Sequence, residues 1–121
     1  ALLVKVILKS RQLATHHAIN GSEGLILAGA LRPDLIILDV MMPGMDGYEV
    51  CSRLREVSDV PILMLTVKNQ SIDVSRGFAA GADHVIKKPF RNAELLSRID
   101  HLLMRNRQAN PQGAQELVAM A

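Results

Sequence analysis

Three residues of this chain combine a useful chemistry with a telling position. Asp39 follows the aliphatic run 35–38, Thr66 follows the run 61–65, and Lys88 follows 84–87 just ahead of Pro89. If the runs are neighbouring strands, a carboxylate, a hydroxyl and an ammonium converge at one rim. That set supports phosphoryl chemistry, in which the carboxylate attacks while the hydroxyl and the ammonium hold the oxygens of the transferred group. Each residue alone says little, because a strand-end Asp also serves as a turn cap, Thr is commonly structural and Lys is commonly solvated. The argument rests on all three standing at successive strand ends.

The elements that would position them are short and alternate in type. Runs 35–38 and 61–65 are apolar without two-residue alternation, as strands covered on both faces require. Between and after them lie amphipathic stretches: 22–31 ahead of Pro33, 47–57 with Val50, Leu54 and Val57 at helical spacing, and 71–80 stopped by Gly81. Residues 84–87 read as a short strand. A last helix runs from 92 to about 105, with Leu95, Leu96, Ile99, Leu102 and Leu103 on its buried side. This pattern predicts an α/β fold, a doubly wound parallel sheet, whose ligand site lies outside the carboxyl ends of the strands. Residues 1–106 are read as one domain. Residues 107–121 lack strong periodicity and contain Pro111 and Gly113, so they are read as a linker or frayed tail.

Composition narrows the function further. The 121 residues are 49% apolar and 21% charged with a net charge of +2, close to a soluble globular domain with one aliphatic core. Trp is absent and Tyr48, Phe78 and Phe90 are the only aromatic residues, which argues against stacking-based nucleic-acid binding. The scattered basic residues argue against direct nucleic-acid binding as well. Cys51 is the single cysteine, so an internal disulfide framework is excluded and a reducing, cytoplasmic setting is expected. Residues 2–8 are apolar but interrupted by Lys5, and no apolar run approaches the roughly 18 residues of a membrane span. His16 and His17 are adjacent on a strand reading and point to opposite faces, an arrangement unsuited to a shared metal.

The block RPDLIILDVMMPGMDG at 32–47, then VPILMLT at 60–66, GAD at 81–83 and KPF at 88–90 resembles the receiver domains of two-component response regulators. The resemblance covers residues 3–105. It implies a flavodoxin-like sheet in the order 2-1-3-4-5, with Asp39 as phosphoacceptor, Thr66 as switch hydroxyl and Lys88 as phosphate-binding lysine. It further implies Mg²⁺ as cofactor, held by Asp39 and the Met41 backbone carbonyl, and a cis bond before Pro89. A histidine kinase would supply the phosphate, and an output domain or downstream protein would read it. The domain is then a signalling phosphoacceptor and not an enzyme, beyond self-catalysed phosphoryl transfer and dephosphorylation. A homodimer through the family's fourth helix, fifth strand and fifth helix is implied by Arg76, Asp83 and Arg98, although two acidic positions of that pattern are Ala79 and His84 here.

The departures from the family are equally specific. Its first strand ends in an acidic pair that holds Mg²⁺, whereas this chain has Lys5, Lys9 and Arg11 and no acid before Glu23. Aligned backwards from Asn20-Gly21, residues 13–17 take the place of the second strand and residues 3–11 that of the first helix, with Val4, Ile7 and Leu8 as its buried stripe. The first strand and its acids are therefore expected before Ala1. Reading residues 3–8 as that strand leaves about four residues before Leu13, whereas a parallel crossover needs about a dozen. Val67 replaces a usually small residue beside Thr66, and Val85 replaces an aromatic switch residue.

Three functions are weighed on these grounds. The first is a phosphoaccepting receiver, in which Asp34 and Asp46 lie outside the pocket. The second is a phosphorylation-incompetent receiver-like binding or dimerisation module, favoured by the missing acids. The third, an aspartyl-phosphate hydrolase of the haloacid-dehalogenase type, requires a second Asp where Met41 stands. With no first strand, residues 35–38 are expected to present an unpaired edge and to associate through it.

Overall fold

A computed structural model describes residues 14–18, 20–42, 45–66, 71–109 and 116–120. In chain order the elements are β1 (Ala14–Ala18), α1 (Gly21–Leu31), β2 (Leu35–Asp39), β3 (Met41–Met42), β4 (Met45–Asp46), α2 (Gly47–Val57), β5 (Ile62–Thr66), α3 (Ser71–Ala79), β6 (His84–Lys87), α4 (Asn92–Ala109) and β7 (Glu116–Met120). Five strands form one parallel sheet in the order β1-β7-β2-β5-β6, and β3 and β4 pair antiparallel in a small ribbon. The α/β architecture expected from the alternating runs is the one observed.

Two apolar layers cover the sheet because β2 and β5 are apolar nearly throughout. Ile36, Leu38 and Met64 pack with Val50, Cys51 and Leu54 of α2 and with Leu25 and Ala28 of α1. On the other face Leu35, Ile37, Leu63 and Leu65 meet Leu95, Ile99, Leu102 and Leu103 of α4, the stripe its spacing predicts. Burying a side chain of this size contributes about 1.5–3 kcal/mol. The helix starts are capped by short polar residues. Asn20 Oδ1 accepts from the Glu23 amide at 2.8 Å, and Asp46 Oδ1 accepts from the Tyr48 amide at 2.8 Å. At the end of α1, Arg32 turns into the left-handed region with φ of 48° and Pro33 follows, so the helix cannot continue.

Three expectations are corrected. The sheet does not lack its central strand: β7 fills the seat between β1 and β2, with Leu117 paired to Thr15 on one side and to Leu35 on the other. Residues 116–120 are therefore a buried strand and not a frayed tail, and α4 runs to Ala109. The open edge expected at residues 35–38 is closed for the same reason. The physical basis is that Leu117–Met120 is an uninterrupted apolar run, which suffices for a strand buried on both faces. Val57 shares its spacing with Val50 and Leu54 yet is 81% exposed. It stands on the last residue of α2, and an apolar stripe is buried only as far as another element lies opposite it. The expected helix over 3–11, and Val67, lie outside the described residues.

Candidate functional site

The register of the sheet brings the three strand-end residues together. Asp39 ends β2 beside Leu65, and Thr66, the next residue on β5, is registered with Lys87 on β6. Lys88 follows, its amide donating to the Thr66 carbonyl at 2.6 Å and its peptide bond to Pro89 cis. The Lys88 ammonium donates to Asp39 Oδ2 across the rim. Among the described residues Asp39 and Thr66 are the two buried polar or charged side chains in an otherwise apolar core, at 8% and 1% exposure. A carboxylate in such surroundings is retained only when hydrogen-bonded or paired, and Lys88 supplies the pair.

The chain leaving Asp39 is shaped by one close approach. The Val40 amide donates to the Leu65 carbonyl, holding the segment against β5, and the ribbon of β3 and β4 returns it to α2. There the Gly47 amide donates to the Val40 carbonyl at 3.3 Å. A Cβ on Gly47 would lie 2.6 Å from Val40 Cα and 3.0 Å from the Asp39 carbonyl oxygen, so only glycine fits this crossing. Asp46 caps α2 with its side chain, and Asp34 precedes β2, at the opposite end of the strand from Asp39.

Two of the residues expected at a subunit interface, Arg76 and Asp83, make contacts within the chain. The Arg76 guanidinium of α3 lies 4.4 Å over the Tyr48 ring and 3.6 Å from Asp46 Oδ2. Asp83 Oδ2 accepts from Arg55 Nη2 and from the Ile62 amide. Arg98 is exposed on α4; burial, and after it the Arg98 charge, hold the His84 imidazole below its ordinary pKa. Arg55 had no sequence signal. Its guanidinium donates to the carbonyls of Ser58, Val60 and Gly81 and to Asp83, up to 28 positions away, and so ties the end of α2 to the entrances of β5 and β6.

A divalent cation fits this donor set poorly. Mg²⁺ favours oxygen ligands from one or two carboxylates together with phosphate oxygens and water. Among the described residues no group of three or more His, Cys, Asp or Glu side chains could hold a metal, and one Asp39 oxygen already accepts from Lys88. Met41 lies on β3, two residues past Asp39.

Residues 1–100 match the family model of the response regulator receiver domain. The chain is 42% identical over 106 residues to the DNA-binding response regulator MtrA of Mycolicibacterium smegmatis, covering 88% of this chain and 46% of that protein. It thus spans about half the length of the curated relatives it matches. Among solved structures, the receiver domain of a signal transduction histidine kinase from Syntrophus aciditrophicus is 38% identical with a TM-score of 0.78, over 86% of this chain and 81% of that one. A putative response regulator from Chloroflexus aurantiacus is 34% identical with a TM-score of 0.79, over 86% and 88% of the two chains.

Proposed function

Because this chain belongs to the response regulator receiver domain family, we propose that Asp39 accepts a phosphoryl group from a histidine kinase and that the rim around it relays the change to an output module. The observation that carries the reading is the buried Asp39 carboxylate paired with Lys88 beside Thr66. An Asp39 oxygen attacks phosphorus, the bond from phosphorus to the donor imidazole nitrogen breaks, and that nitrogen keeps the electron pair. Lys88 then exchanges its carboxylate partner for a phosphoryl oxygen, and the Thr66 hydroxyl donates to another. The move draws on Lys88, whose amide is fixed to the end of β5, so the charge change reaches β5 and β6 directly. On this reading the domain is no enzyme beyond its own phosphorylation and dephosphorylation, and it works in the cytoplasm. Among the described residues no helix is long and apolar enough to cross a membrane.

A second reading, a receiver-like binding module that takes no phosphate, is favoured because no group of three or more His, Cys, Asp or Glu side chains that could hold a metal stands among the described residues. One experiment separates the two. The chain is incubated with acetyl phosphate and MgCl₂ and its intact mass is followed. A single phosphoryl adduct that disappears with Asp39→Asn supports the phosphoacceptor, and absence of any adduct supports the binding module. An adduct that persists in Asp39→Asn would sink the assignment of this residue.

A further inference from the structure

The first turn of α2 is built against the backbone of the phosphoacceptor strand. The Gly47 amide donates to the Val40 carbonyl at 3.3 Å, and the missing Cβ of Gly47 leaves room for Val40 Cα and the Asp39 carbonyl. Val40 is gripped from the other side as well, since its own amide donates to the Leu65 carbonyl of β5 at 3.0 Å. The residues before and after Gly47 are held by one side chain of another helix. Arg76 of α3 brings Nη2 to 3.6 Å from Asp46 Oδ2 and lays its guanidinium 4.4 Å over the Tyr48 ring. Asp46 uses its other oxygen, Oδ1, to cap α2 on the Tyr48 amide, so one carboxylate joins the start of α2 to α3. The Tyr48 ring is 5% exposed and packs into the core, which gives the cation a firm surface. The helix that carries Arg76 is seated closely at the next residue: a Cβ on Gly77 would lie 2.8 Å from Val85 Cγ2 of β6 and 3.1 Å from Met64 Sδ of β5. Elsewhere between α2 and α3 the side chains are short. Ser52, Ala79 and Ala80 leave a groove of about 470 Å³, which Arg76 spans at the first turn of α2.

We propose that Arg76 is a positioning residue for the phosphoacceptor: it holds the first turn of α2, through it the backbone of Asp39 and Val40, and so makes the reactivity of Asp39 depend on where α3 sits. The inference rests on the phosphoacceptor reading and adds a regulatory input to it. An attacking carboxylate oxygen works only where its backbone keeps it in line with phosphorus, and a loose turn beside that backbone widens the range of positions it visits. Lys88 fixes the side-chain end of Asp39, and Arg76 steadies the main-chain end through Gly47 and Val40. The hold is graded. The Arg76 side chain is 57% exposed and that of Asp46 47%, so the ion pair is screened by solvent and the ring contact supplies much of the grip. The influence on rate is accordingly a few-fold. A molecule that binds the outer side of α3 and draws Arg76 off Tyr48 slows phosphate acceptance without touching the rim.

Intact-mass kinetics with acetyl phosphate and MgCl₂, run together with amide hydrogen exchange, test it. Arg76→Ala should slow adduct formation about threefold and speed exchange of the Gly47 amide about fivefold. Arg76→Gln, which keeps the length and loses the charge, should do the same. Tyr48→Leu should follow Arg76→Ala, whereas Tyr48→Phe keeps the ring face and should retain most of the rate. The double variant Arg76→Ala/Tyr48→Leu should be little worse than either single one, because both remove the same contact. Ile99→Val, a loss of volume in the opposite core layer, is the control for simple destabilisation and should move neither readout. An adduct formed by Arg76→Ala at the unaltered rate, or unchanged exchange at Gly47, would overturn the proposal, as would equal slowing by Ile99→Val. These failures leave the phosphoacceptor reading standing. Absence of any adduct in the unaltered chain would instead remove that reading, and the proposal with it.

Discussion

Asp39 is a carboxylate whose oxygen Oδ2 is already held by an ammonium, and that pairing sets its appetite for metal. Titration of the chain with Mn²⁺, read by paramagnetic broadening, should therefore show very weak binding without a phosphoryl donor; tight binding that Asp39→Asn abolishes would contradict the poor fit. Cys51 shows the opposite kind of burial. It sits fully enclosed in α2, and burial pushes its thiol up to about 11. The reactive thiolate is then scarce at neutral pH, and the site is closed to reagents. Alkylation by iodoacetamide at pH 8 should proceed only as fast as the protein opens, and should speed up sharply in urea. Rapid labelling of the native chain would show that α2 moves away from the sheet.

At the scale of elements, the path from β2 to α2 depends on a crossing that has no spare room. Gly47→Ala pushes a methyl against the backbone of Val40, which cannot rotate out of the way as a side-chain tip could. A loss of about 1–3 kcal/mol in urea unfolding is expected, the usual range for overpacking. A midpoint equal to that of the unaltered chain would mean that the segment after Asp39 yields freely. The elements were unequally legible in the sequence. β2 and β5 could be read because each is an unbroken apolar run, and their ends, with that of β6, revealed Asp39, Thr66 and Lys88 as a set. β7 escaped because its four apolar residues come soon after Pro111 and Gly113, punctuation that ordinarily closes a domain, and because its partners begin about a hundred positions earlier. Arg55 escaped for a related reason. Nothing within a helical turn hints that its guanidinium holds Asp83 and three carbonyls.

For the whole molecule, pH acts through His84. Its folded value is depressed, by burial first and then by the positive charge of Arg98, with His101 adding to the effect and Glu94 opposing it. Stability from this residue is complete above the unfolded value of 6.5 and falls as pH drops from there through the lowered folded value. Urea midpoints measured between pH 7.5 and 5 should decline, and His84→Asn should flatten the decline; an unchanged slope would place its origin elsewhere.

The seat of β7 also fixes a timetable. Ala14 is registered with Glu116, so the pairing closes a loop across 116 − 14 = 102 positions. Until residues 116–120 have left the ribosome, β1 lacks its partner β7, and so does the β2 edge of the block of β2, β5 and β6. Contacts of such long sequence separation form slowly, because the loop must be closed before they repay its entropy. A nascent chain halted before Leu117 should remain open to protease along β2, and one extended past Met120 with a spacer long enough to clear the exit tunnel should become resistant. Chains protected before Leu117 emerges would show that the sheet forms without its middle strand. During synthesis, then, the strand that ends in Asp39 keeps its β7 edge open from the moment it emerges until Met120 has been added.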